Sequence, residues 1–213
     1  MKMSDRNYDP TIPRLVSYPR TGSHWVRLVL EQYLNKYCLP TSFFDNTDYW
    51  GYHLHDRIVG RGDEGITSDF DKVIYLYRDP VDTIFSILNY ENLNFSNAKN
   101  VQKLSSEYFI HLHRWLFNNS DIKNIIFVKY EQIKNKPVES FTDILKFLDY
   151  EIDESKLSTI FDSTTIKITN SKTGLNKNII NNDHFTGKYN IKKEKFQQGF
   201  AALIREEFLS VWK

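Results

Sequence analysis

The sequence is short of cysteine, of net charge and of long apolar runs, and each shortage removes a class of protein. Cys38 is the only cysteine among 213 residues, which excludes an intramolecular disulfide framework and a cysteine-based zinc site and suits a reducing compartment. The 28 Lys and Arg residues are matched by 27 Asp and Glu, for a formal net charge of +1. No general affinity for polyanions follows, so nucleic acid is not an expected partner and any phosphate site must come from local placement. No segment approaches the roughly 18 uninterrupted apolar residues of a membrane span, and the opening MKMSDRNYDP has no apolar signal-peptide core. A cytoplasmic, soluble chain without a membrane span is the expectation. There is neither an internal repeat nor a linker, so residues 1–213 are expected to form one domain, with 40% hydrophobic residues to fill its core.

What is present is a recurring unit: a short apolar run, a turn signal, then helical periodicity, as expected of strands and helices alternating around a parallel sheet. Leu15-Val16-Ser17-Tyr18 reads as a buried strand, residues 19–23 as its exit, and Trp25, Leu28, Val29, Tyr33 and Tyr37 follow at helical spacing. Residues 51–55 form a candidate polar strand. Val73-Ile74-Tyr75-Leu76-Tyr77 is the clearest strand, and Asp79-Pro80 supplies a helix N-cap and a first-position proline. Residues 105–117 read as an amphipathic helix, on which His111 and His113 point in different directions and are not a metal pair. Ile125-Ile126-Phe127-Val128 is a further strand, followed by a helix opened by Pro137; a closing helix is expected over 194–212. Between them, residues 163–190 lack apolar periodicity and read as a surface loop or a ligand-ordered segment.

In an open parallel sheet, ligands bind beyond the carboxyl ends of the strands. The first such segment is Pro19-Arg20-Thr21-Gly22-Ser23-His24-Trp25, a turn leading into a helix N-terminus and therefore a candidate anion site. Gly22 permits close backbone approach, Thr21 and Ser23 carry hydroxyls, and Arg20 adds a cation. The GxxxxGK[ST] spacing of a nucleoside-triphosphate loop is absent, which counts against a nucleotide-dependent kinase. The second segment places Arg78 at a strand end and Ser86 two turns into the next helix. These two can meet one anion, or Arg78 can simply pair with Asp82.

Together these segments resemble the sulfotransferases that use 3′-phosphoadenosine 5′-phosphosulfate (PAPS), whose first motif is P-K-x-G-T-x-W and whose second is R-x-x-x-D-x-x-x-S. Tyr130-Glu131-Gln132-Ile133 is similar to that family's Y-E-D-L strand end. The resemblance implies an α/β three-layer sandwich with a central parallel sheet and P-loop-like architecture. It also implies that residues 20–25 hold the 5′-phosphosulfate, that Arg78 and Ser86 hold the 3′-phosphate, and that Tyr130 lies near the adenine. The product would be 3′-phosphoadenosine 5′-phosphate (PAP), and no metal is implied. Arg20 stands where the family usually has lysine; a guanidinium can stabilise charge but hardly donate a proton. The family's R-K-G-x-x-G element is represented only by His184-Phe185-Thr186-Gly187-Lys188, and its dimerisation motif is missing, which leaves the oligomeric state open.

The family commonly carries its base, a histidine, between the two phosphate motifs, where this chain has Tyr52-His53-Leu54-His55-Asp56. On a strand His53 and His55 share one face. His55 is the first choice because it is nearer the strand end, and His53 the second. The acceptor is expected to be a small molecule or glycan bearing a hydroxyl or amine, met by residues 43–50, 89–100 and 163–182, where Phe43, Phe44, Tyr49 and Trp50 offer stacking surfaces. A non-catalytic PAP- or PAPS-binding protein is the other alternative.

Overall fold

The computed structural model describes residues 11–39, 49–55, 72–119, 122–163 and 188–211. Five strands, β1 (Arg14–Ser17), β2 (Tyr37–Leu39), β3 (Tyr49–His55), β4 (Val73–Tyr77) and β5 (Ile125–Lys129), form one sheet in the order β2-β3-β1-β4-β5. Every neighbouring pair is parallel. Strands in such a sheet are covered on both faces, which is why residues 73–76 form an unbroken apolar run and are all buried.

Among the described residues seven helices accompany the sheet: α1 (Ser23–Leu34), α2 (Pro80–Tyr90), α3 (Ala98–Leu112), α4 (Tyr130–Asn135), α5 (Pro137–Phe147), α6 (Glu154–Ser163) and α7 (Lys188–Val211). A π-helical turn, His113–Phe117, extends α3. Alternating strand residues divide the core in two. Val16, Val73 and Tyr75 join Phe85, Tyr108 and Phe196, from α2, α3 and α7, on one face. Leu15, Ile74 and Leu76 join Val29, Phe141 and Ile160, from α1, α5 and α6, on the other. The result is the expected α/β sandwich of three layers.

Local chemistry sets most element boundaries. Asp79 accepts from the Asp82 amide at 3.0 Å and Pro80 occupies the first turn of α2, a favourable cap and a pre-set φ. Three expectations are corrected. Tyr37 is not on the first helix: Asn35 enters the left-handed region at φ 52°, α1 stops, and Tyr37 opens β2. Tyr130 is not a strand residue but the first residue of α4. Trp50 lies in β3 and is 2% exposed, so it is core rather than a stacking surface for an acceptor. Helix α6 carries few apolar positions and went unrecognised in the sequence.

His111 is a core histidine, its Nδ1 lying 3.0 Å from the Tyr75 hydroxyl, while His113 packs between Phe109 and Phe117. Among the described residues no cluster of three or more His, Cys, Asp or Glu is placed to hold a metal. No helix there is long and apolar enough to cross a membrane.

Candidate functional site

Strand β1 has β3 on one side and β4 on the other, so the segments leaving β1 and β4 border a crevice at the carboxyl edge of the sheet. Residues 18–22 make the first wall. Thr21 Oγ1 donates to the Tyr18 carbonyl at 2.7 Å inside this turn, so its hydroxyl hydrogen braces the loop rather than facing a ligand. Arg20 adopts φ 67°, a left-handed conformation that costs a non-glycine residue about 1 kcal/mol and that functional loops commonly retain.

Gly22 is the N-cap of α1 at φ 105° and has no side chain with which to cap it, and the first turn carries no acidic residue. No side chain caps the start of α1, so the helix begins at buried Ser23 as an end that favours an anion. A Cβ at position 22 would fall within 2.6 Å of Tyr130 Cε2. Glycine is required there both for its backbone conformation and because the Tyr130 ring lies against it. Trp25 meets Tyr130, Phe141 and Phe161 edge-on at centroid distances of 6.3 to 6.4 Å, and its Nε1 is buried without a hydrogen-bond partner.

The second wall starts at Arg78. Its guanidinium donates through one terminal nitrogen to the Arg20 carbonyl at 3.2 Å and approaches Asp82 through the other at 3.5 Å. Its face lies 4.6 Å from the Tyr130 ring centre, and its Nε is buried with no partner. Arg20 reaches across from the first wall, donating from Nε to Ser86 Oγ at 3.3 Å and lying 4.5 Å over the Tyr90 ring. No carboxylate among the described residues pairs with Arg20. Burial pushes its guanidinium below the ordinary arginine value, an effect opposed mainly by Tyr90. The structure thus brings Arg20, Arg78, Ser86, Gly22 and Tyr130 together.

This donor set of two guanidiniums, a hydroxyl and uncapped amides, with one buried Nε left unpaired, fits phosphate or sulfate oxygens. Sequence reasoning missed two parts of the site. Tyr108 holds the Arg78 peptide with its hydroxyl, and Lys193 of α7 lies 2.7 Å from the Asp82 carboxylate. Neither left a motif, since each partner is remote in sequence.

Other expected residues are less informative. Backbone register places His53 opposite Leu15 and His55 opposite Ser17, at the carboxyl end of β1; the placement of their side chains lies outside the description. Gly187 and Asp56 are outside the described residues, and Lys188 is the exposed first residue of α7.

Comparison with known proteins meets this geometry. A model of the sulfotransferase domain matches residues 61–211; the loop after β1 lies outside that match. The chain is 22% identical to the amine sulfotransferase of Oryctolagus cuniculus over 72% of its length and 61% of the relative's. It is 24% identical to cytosolic sulfotransferase 13 of Arabidopsis thaliana over 67% of its length and 55% of the relative's. It therefore spans about three fifths of the length of the curated relatives it matches. The crystal structure of mouse sulfotransferase SULT7A1 complexed with PAP superposes with a TM-score of 0.63, covering 95% of this chain and 90% of that one at 20% identity. A retinol dehydratase in complex with retinol and PAP gives 0.59 at 16% identity, with 90% and 81% covered. At such identities the structural likeness establishes the fold. With more than half of its length matched by the family model, the chain belongs to the sulfotransferase family.

Proposed function

We propose that the chain is one sulfotransferase domain that transfers a sulfuryl group from PAPS to a hydroxyl or amine of a small-molecule or glycan acceptor in the cytoplasm. The observation that carries this reading is that Arg78 donates to the Arg20 carbonyl and Arg20 to Ser86, with no carboxylate on Arg20 among the described residues and a buried Arg78 Nε without a partner. Family membership and the PAP bound in both structural relatives support it. The cytoplasmic location is supported by the single cysteine and by the name of the plant relative.

PAPS supplies an activated sulfuryl group when bound. In this reading residues 20–25 hold its 5′ end, Arg78 and Ser86 bind its 3′-phosphate, and Tyr130 borders the adenine. Arg20 keeps its cation at the leaving oxygen, where a permanently charged fork steadies negative charge without giving up a proton. His55, or failing it His53, takes the acceptor's proton on a ring nitrogen.

A thermal-shift titration with PAP tests the reading. Ligand at about 100 times its dissociation constant adds roughly 2.7 kcal/mol of stability. A midpoint unmoved at saturation rejects the proposal. A shift without sulfuryl transfer from PAPS to any of a phenol, a sugar and an alkylamine would reduce the protein to a nucleotide binder.

A further inference from the structure

Arg78 and Asp82 are four residues apart and of opposite charge, a spacing at which such side chains normally pair. Here the pair is stretched to 3.5 Å. The Asp82 carboxylate is held more closely by Lys193 Nζ, which lies 2.7 Å from its oxygens, including the Oδ2 that Arg78 approaches, and Gln197 Nε2 reaches Oδ1 at 3.5 Å. Lys193 and Gln197 are one turn apart on α7, so a single face of that helix delivers both. Of the neighbouring carboxylates, Asp79 accepts from the Asp82 amide and Glu131 Oε1 from the Asp79 amide, each at 3.0 Å, while Glu131 Oε2 is buried without a partner. Arg78 keeps the 3.5 Å contact with Asp82, the Arg20 carbonyl and the Tyr130 ring, and has a buried Nε with no partner. The side chains of Arg78, Asp82 and Lys193 are 14%, 20% and 25% exposed, so water competes weakly for any of the three.

Resting on the nucleotide reading above, we infer that Lys193 is a positioning residue for recognition of the 3′-phosphate. It draws Asp82 away from Arg78 and so keeps that guanidinium available to the ligand. Without Lys193 the carboxylate closes on Arg78, neutralises it, and must be displaced before a phosphate can bind. Lys193 thereby tunes specificity for a 3′-phosphorylated nucleotide without touching the ligand.

The test is calorimetric titration of PAP and 5′-AMP into the intact chain and its variants, with thermal midpoints recorded for each. Lys193→Met should lose about fivefold or more in PAP affinity, within the usual range of coupling between sites, while 5′-AMP stays within about twofold. Lys193→Arg should keep the wild-type ratio. Asp82→Asn removes the competing charge, so the double variant Lys193→Met with Asp82→Asn should recover that ratio, which no general loss of stability would do. Lys193→Gln serves the same comparison should the methionine variant fold poorly.

An unchanged PAP to 5′-AMP ratio in Lys193→Met, with a wild type that discriminates, overturns this inference alone. A double variant as impaired as the single one also overturns it, since Lys193 would then contact the phosphate itself. A wild type that binds the two nucleotides equally overturns the nucleotide reading and this inference with it.

Discussion

The Tyr108 hydroxyl takes both polar groups of the Arg78 peptide, accepting from its N–H at 3.0 Å and donating to its carbonyl at 2.8 Å. Tyr108 is fully buried, so phenylalanine fits the space but strands two backbone groups away from water. Tyr108→Phe should lower the unfolding free energy by about 2 kcal/mol, the usual cost of such unsatisfied groups. A urea titration should show an earlier midpoint at unchanged slope, and PAP affinity should fall more than that of 5′-AMP. A midpoint equal to wild type would mean that the clasp contributes nothing.

Arg20 has a left-handed backbone, is half-buried and pairs with no carboxylate among the described residues, which leaves its cation available to charge that develops during transfer. Arg20→Ala should reduce turnover about tenfold or more while weakening PAP much less, because only interactions that strengthen in the transition state accelerate chemistry. Turnover within about twofold of wild type, far short of the tenfold that corresponds to ~1.4 kcal/mol, rejects the assignment.

The register of β3 on β1 sets His55 opposite Ser17, at the sheet edge where the Arg20 loop begins, and His53 one pleat behind. His55→Ala should leave PAP affinity near wild type and cut turnover on a sugar or alkyl alcohol about a hundredfold, as for a positioned base. His53→Ala should do less. Full activity in both variants and in the double variant moves the search for the base to Asp56.

Cys38 is buried, and burial pushes its thiol from an ordinary value near 9 up to about 12, with nearby Arg27 opposing the shift. At pH below the unfolded value both states keep the proton and the contribution to stability is complete. As pH rises from about 9 toward 12 only the unfolded chain releases it, so stability falls by up to ~1.4 kcal/mol per pH unit. Denaturant titrations across this range should show a shallower loss for Cys38→Ala than for wild type. Identical slopes would place the titration elsewhere.

Much of this architecture was legible in the chain because local physics dictated it. The Val73–Tyr77 run, the Asp79-Pro80 helix start and the Gly22 turn each declare themselves within a few residues. The spacing of Arg78 and Ser86 gave no sign that Arg20 would donate to Ser86. Tyr37 misled because its spacing from Tyr33 continues a helical stripe that one left-handed residue, Asn35, terminates. Tyr108 and Lys193 were invisible for a different reason: their partners lie 30 and 111 residues away, and only the packing of α3 and α7 on the sheet brings them near. The Arg78–Asp82 pair exists, as a local reading allows, but in a stretched form that depends on α7.

The bond from Arg78 to the Arg20 carbonyl joins the exit of β4 to that of β1, and the bond from the Asp79 amide to Glu131 joins it to the start of α4 beyond β5. Three segments far apart in the chain are therefore laced across one edge of the sheet. Local opening of any one must break a tie to another, so their amide protons should exchange with solvent through a shared fluctuation, and a ligand on one of the loops should slow exchange in the other two.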